Sequence, residues 1–185
     1  MTIDQSLCII AQQFEKEKIR YVVGGSYLLH HYDLEDVVHD LDLVIHPKDI
    51  YRALKIMDTI GEKLETHNNP QYESTHFYKY DVLGVSVDII SDLIINYQSY
   101  QYHYVLDGTK PHEEIMVEGA KVYLADLEDW YVIYLFVGNR RKKVEKLEKY
   151  IVEKGSLSQS ILHPMLSKSI PEEFKQKIQN LFKKK

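Results

Sequence analysis

The chain has 185 residues, 44% hydrophobic and 28% charged, with a net charge of −5, which fits an ordinary globular protein: one domain, or one domain with a helical appendage. No run of about 18 apolar residues offers a membrane helix, and an N-terminus carrying Asp4, Glu15 and Lys16 reads as an amphipathic helix and not a signal peptide, so a cytoplasmic location is expected. Cys8 is the only cysteine, which excludes an intrachain disulfide and any multi-cysteine zinc site.

Charge is unevenly divided. Residues 140–185 hold 13 Lys/Arg against 5 Asp/Glu, or +8, which leaves −13 for residues 1–139. Such a basic segment suits polyanion binding or is simply a solvated, lysine-rich helical surface.

In chain order, Leu7, Ile10, Ala11 and Phe14 have helical spacing over residues 3–18. An apolar strand, Tyr21-Val22-Val23, stops at Gly24-Gly25-Ser26 and passes into a short helix around Leu28 and Leu29. A second strand, His39 to His46, carries Asp40 and Asp42 two apart, so strand alternation places both carboxylates on one face and Leu41, Leu43 and Ile45 on the other. Adjacent like charges repel unless they are splayed into water or share a cation. Pro47 then marks a helix start, Ile50, Leu54 and Met57 extend its stripe, and Gly61 closes it. A polar loop, His67-Asn68-Asn69-Pro70, precedes two paired strands, Glu73 to Tyr80 and Val85 to Ile90, joined by Asp81-Val82-Leu83-Gly84. Val85, Val87 and Ile89 share one face of the second; Ser86 and Asp88 share the other, so a third acid stands on a polar strand face.

Residues 93–112, rich in Tyr, Gln and His, give no clear periodicity. Ile115 to Leu124 reads as a hairpin around Glu118-Gly119-Ala120. From Asp126 the pattern is helical, with Leu127, Trp130, Tyr131, Tyr134 and Val137 on one face, broken by Gly138-Asn139. A further helix runs from Arg141 to Lys154. After a Ser-rich link, Pro171-Glu172-Glu173 opens a last helix that ends in Lys183, Lys184 and Lys185. The domain plan is therefore an α/β domain over residues 1–125 and a helical portion over 126–185.

Three acids on polar strand faces beside a Gly-Gly-Ser turn are the parts that metal-dependent phosphoryl or nucleotidyl transfer requires. Mg²⁺ takes hard oxygen ligands and leaves positions for substrate phosphates; two such ions about 4 Å apart activate an attacking hydroxyl and stabilise a leaving pyrophosphate. Glycines at a strand-to-helix turn let backbone N–H groups approach a triphosphate, and the Ser26 hydroxyl adds a donor. Blander readings stand beside this one. Asp40 and Asp42 suit an edge strand in water, and Gly24-Gly25 suits a plain tight turn. Asp33, Glu35 and Asp36 read as a solvated loop, and His30, His31 and His39 have no closed zinc-site spacing. His76 and Tyr78, expected to face the site, serve substrate or structure.

Gly24-Gly25-Ser26, then Asp40-Leu41-Asp42 before an apolar strand, then Asp88 preceded by Val85-Ser86-Val87, together resemble the nucleotidyltransferase superfamily that includes DNA polymerase beta. The similarity is greatest to its small bacterial members, the lincosamide-type antibiotic nucleotidyltransferases and the toxins of type IV toxin–antitoxin systems. The resemblance implies an α/β (α+β) nucleotidyltransferase fold, a mixed sheet flanked by helices with a helical C-terminal portion. It implies that Gly24, Gly25 and Ser26 hold the phosphates of ATP or another NTP, with Arg140 and Lys142 as further contacts. Asp40 and Asp42 would ligate two Mg²⁺ ions; Asp88 would ligate the catalytic one and help deprotonate the acceptor. The acceptor would be tRNA, a protein or a small molecule such as an antibiotic, and the toxin likeness implies a cognate antitoxin partner. The alternative is a catalytically inactive nucleotide-binding or protein-interaction module of the same fold. The chain departs from its relatives at Tyr134, where they tend to carry Lys, at Lys143, which replaces an acid, and at His39, where many carry Arg or a hydroxyl residue.

Overall fold

Seven strands form one mixed sheet in the computed structural model, which describes residues 2–67, 69–155 and 158–183. The strands are β1 (Tyr21–Val23), β2 (Leu41–Ile45), β3 (Glu62–Leu64), β4 (His76–Val82), β5 (Val85–Ser91), β8 (Glu113–Val117) and β9 (Ala120–Leu124), in the order β3-β4-β5-β2-β1-β9-β8. β2 runs parallel to β5 and antiparallel to β1, which is parallel to β9; β4–β5 and β8–β9 are antiparallel hairpins. A separate two-stranded ribbon joins β6 (Leu93–Tyr97) to β7 (Tyr100–Tyr104).

Alternation sorts the faces. Leu41, Leu43 and Ile45 of β2 align with Val87 and Ile89 of β5 and with Tyr21 and Val23 of β1, all buried. α1 (Ile3–Lys16) and α3 (Ile50–Ile60) cover this face: Phe14 meets the Tyr21 ring edge-on, and the Tyr80 hydroxyl donates to Asp58 at 2.7 Å. A capping box between Thr2 and Gln5 starts α1.

α3 opens three residues later than Pro47 suggests. Its N-cap, Asp49, does not cap the helix; its buried carboxylate accepts from Arg20 N and Nε, at 3.1 and 2.7 Å, and from Arg52. Burial works against that charge, but the two guanidiniums outweigh it and hold the Asp49 pKa down to about 2.

The chain divides into two compact units: Met1–Ile94 with His103–Ala125, and Ile95–Tyr102 with Asp126–Lys185. The second therefore takes the inner part of the ribbon in addition to the helices from Asp126. Its centre is aromatic. Tyr97, Tyr102, Phe136 and Phe174 stack or meet edge-on at centroid distances from 4.9 to 6.3 Å. α4 (Leu127–Val137) is buried around almost its whole circumference and not only on the expected face. It packs on α5 (Arg141–Lys154) and on α6 (Gln159–Met165), a helix that lies where the sequence suggested only a link. Polar contacts fasten the bundle: Glu128 accepts from Ser158 N at 2.7 Å, and Glu148 accepts from Tyr131 and from Lys177 on α7 (Glu172–Lys183). Asn68, Lys184 and Lys185 lie outside the described residues.

Candidate active site

β2 is the central strand of the sheet, which removes the edge-strand reading of its acids. Asp42 is paired in register with Asp88 on the neighbouring parallel strand, so both side chains leave the same face. Asp40 lies just before β2, at the end of the 32–40 loop and not within the strand. Two chain segments thus bring the three acids to one end of the sheet.

The glycine turn is built around Asp42. Gly24 N–H donates to the Asp42 carbonyl at 2.9 Å, and Gly25, the first residue of α2 (Gly25–His31), has a φ of +60°. A Cβ on Gly25 would stand 1.7 Å from Asp42 Oδ2, so only glycine allows the carboxylate to lie there.

Ser26 is buried, and its hydroxyl is committed to the loop: it accepts from His39 N–H at 3.2 Å and reaches the Asp40 carbonyl at 3.5 Å. In this structure it fastens the segment that carries Asp40.

The sequence reading missed Lys79. On β4 it stands directly opposite Asp88, and its Nζ lies 2.8 Å from Asp88 Oδ1. Burial opposes the Lys79 charge, but Asp88 outweighs it, with Asp40 and Asp42 adding to the effect, so its pKa is raised. The buried Asp88 is itself pushed up, chiefly by desolvation and further by Asp40, against the pull of Lys79. The same pairing puts His76 and Tyr78 on the opposite face, not on the site: His76 meets Tyr51 of α3 edge-on and stacks on Tyr78. A signal existed, since any residue paired with Asp88 shares its face, but it needed the register.

The donor set suits Mg²⁺, being carboxylate oxygens alone. Asp88 Oδ1 is buried against the Lys79 ammonium, so a metal on that oxygen would meet a positive charge already 2.8 Å away. Among the described residues, however, no three His, Cys, Asp or Glu side chains converge closely enough to hold a metal as they stand. His30 bonds the Glu35 carbonyl and His31 pairs with Glu113. Arg140, the N-cap residue of α5, and Lys142, in its first turn, are exposed on the second unit. The departures at Tyr134 and Lys143 belong together: the Lys143 ammonium lies 5.6 Å from the centre of the Tyr134 ring.

The chain has the nucleotidyltransferase fold, as its likeness to solved structures shows. No family model and no curated protein matches the sequence. Among solved structures the chain is similar to a candidate nucleotidyltransferase from Thermotoga maritima, at 25% identity and a TM-score of 0.60 over 83% of this chain and 96% of that one. It is similar in fold to the lincosamide antibiotic adenylyltransferase LnuA with lincomycin bound, at 15% identity, a TM-score of 0.51 and coverage of 78% and 95%. A third likeness is to ANT(2″)-Ia in complex with adenylyl-2″-tobramycin, at 9% identity, a TM-score of 0.54 and coverage of 82% and 90%. Among the described residues no helix is long and apolar enough to cross a membrane.

Proposed function

We propose that the chain is a Mg²⁺-dependent nucleotidyltransferase that moves a nucleoside monophosphate from an NTP to an acceptor hydroxyl, releasing pyrophosphate. The in-register pairing of Asp42 with Asp88 beside Gly25, within a nucleotidyltransferase fold, carries this reading. Bound Mg²⁺, as one or two ions, would supply the positive charge that neutralises the phosphates as they react. Asp40, Asp42 and Asp88 are the residues that would hold it. The acceptor oxygen bonds to the α-phosphorus as the α–β anhydride bond breaks; Asp88 receives the hydroxyl proton and the electron pair leaves on pyrophosphate. Gly24 and Gly25 would present backbone N–H groups to the phosphates, while Ser26 keeps Asp40 in place. Arg140 and Lys142 are carried as phosphate contacts on the resemblance alone.

The acceptor we favour is the hydroxyl of a small molecule of the antibiotic class, by analogy with the adenylyltransferases that share the fold. A tRNA acceptor, which the +8 of residues 140–185 would suit, predicts transfer that weakens steeply with salt; a small-molecule acceptor predicts almost no such slope. Incubation with each labelled NTP, Mg²⁺ and separate pools of aminoglycoside, lincosamide, tRNA and protein tests both. Asp42→Asn is expected to abolish transfer with the melt unchanged or raised, and retained transfer rejects the assignment.

One observation favours a second reading, an inactive nucleotide-binding module: the ammonium of Lys79 lies on Asp88. Calorimetric NTP binding in Mg²⁺ without pyrophosphate release would select it.

A further inference from the structure

The acidic face already holds a cation. Three carboxylates lie at one end of two neighbouring strands, and two of them are paired in register. On the same face the chain puts Lys79, paired in register with Asp88 and with its ammonium 2.8 Å from the buried Asp88 Oδ1. The contact joins an ammonium to a buried carboxylate on one face of the sheet. Lys79 is about one-third exposed, on a flexible four-carbon stem, so the ammonium is able to leave for water without moving β4.

We propose that Lys79 is a resident counter-cation: its ammonium, held on Asp88 beside Asp42, takes the place of a divalent cation there, and metal enters only by displacing it. The inference rests on the metal-dependent reading above and adds a residue that sets the affinity of that site. Physically, like charges exclude each other within a few ångströms, so an ammonium beside Asp88 and a divalent ion on the same oxygens compete. Removing the ammonium therefore leaves a more anionic, emptier site. It also leaves Asp88 buried without a counter-charge, a cost that a bound metal relieves.

The test is Mn²⁺ binding without nucleotide, read by electron paramagnetic resonance, together with the rise in melting temperature on adding Mg²⁺. Wild type is compared with Lys79→Met, with Lys79→Gln as a second uncharged variant should the first fold poorly, and with Lys79→Arg, which keeps the charge. The expected result is Mn²⁺ binding at least tenfold tighter in Lys79→Met or Lys79→Gln than in wild type, a larger Mg²⁺-induced rise in their melts, and no gain in Lys79→Arg. Equal or weaker binding in the uncharged variants overturns the inference and leaves the metal site standing. Absence of Mn²⁺ binding in every variant, or tight binding that survives Asp42→Asn in the Lys79→Met background, overturns the metal-dependent reading along with it.

Discussion

Gly25 and Asp42 occupy one another's space: the pro-Cβ direction of the glycine points into the carboxylate, 1.7 Å from Oδ2. Gly25→Ala must strain a left-handed residue and push Asp42 aside. The strain costs about 1–2 kcal/mol, whereas the displaced carboxylate is the tip of a side chain and can move cheaply. The expected outcome is a melt a few degrees lower, with Mg²⁺-dependent transfer lost out of proportion to that change. A melt and a transfer assay on the same sample check it; full transfer would show that the contact carries no function.

Asp88 is buried, and desolvation raises its pKa despite Lys79. A carboxylate with a raised folded pKa contributes stability below its unfolded pKa and loses it as pH rises through the folded one, so at neutral pH its charge is a cost. Asp88→Asn should leave the pH 7 melt unchanged or raise it by up to about 4 °C, since about 1 kcal/mol moves a chain of this length by about 2–4 °C. A fall of similar size in calorimetry would mean that the Lys79 pair outweighs the desolvation.

The Ser26 hydroxyl links α2 to the backbone of residues 39 and 40. Ser26→Ala removes one buried acceptor of a backbone N–H and should cost about 1 kcal/mol. Its larger effect should be faster hydrogen exchange confined to the loop before β2, with weaker metal binding through a loosened Asp40. Unchanged exchange at residues 39 and 40 would leave phosphate contact as the hydroxyl's use.

Asp49 holds the turn before α3 through Arg20 and Arg52, and Arg52 also donates to the Glu17 carbonyl at the end of α1. Its folded pKa, about 2, lies below the ordinary value of 3.8. Stability from this group is therefore present above the unfolded pKa and lost as pH falls through about 2. Both arginines are half-exposed, so with screening allowed for, the contribution is about 1–2 kcal/mol. Asp49→Asn should lower the neutral-pH stability by about that amount and flatten the fall in stability between about pH 4 and pH 2, as denaturant titrations across that range would show.

Much of the fold is legible because its elements are local. A short apolar run marks β1, period-2 runs mark β2 and β5, the apolar stripes mark α1, α3 and α5, and Glu118-Gly119, both at positive φ, turns the β8–β9 hairpin where the sequence suggests. The ribbon in residues 93–112 is illegible for a physical reason: Tyr97 and Tyr102 are ordered by Phe136 and Phe174, more than thirty residues away in the chain. The start of α3 shifts because Asp49 bonds Arg20, across a sequence separation of 29, in preference to its own helix.

Lys79 shows where sequence stops. A four-residue connection after Tyr80 would pair Phe77 with Asp88; the two-residue turn, with Leu83 and Gly84 both at positive φ, brings Lys79 there. The sequence by itself determined the inventory: three acids, a glycine turn upstream of them, and the alternation that gives Asp42 and Asp88 polar faces. Only the tertiary structure decided which strand each acid neighbours, that Lys79 stands on Asp88, and what the Ser26 hydroxyl holds. Side-chain alternation is a property of one strand, whereas pairing is set by turn geometry and by contacts between residues far apart in the chain.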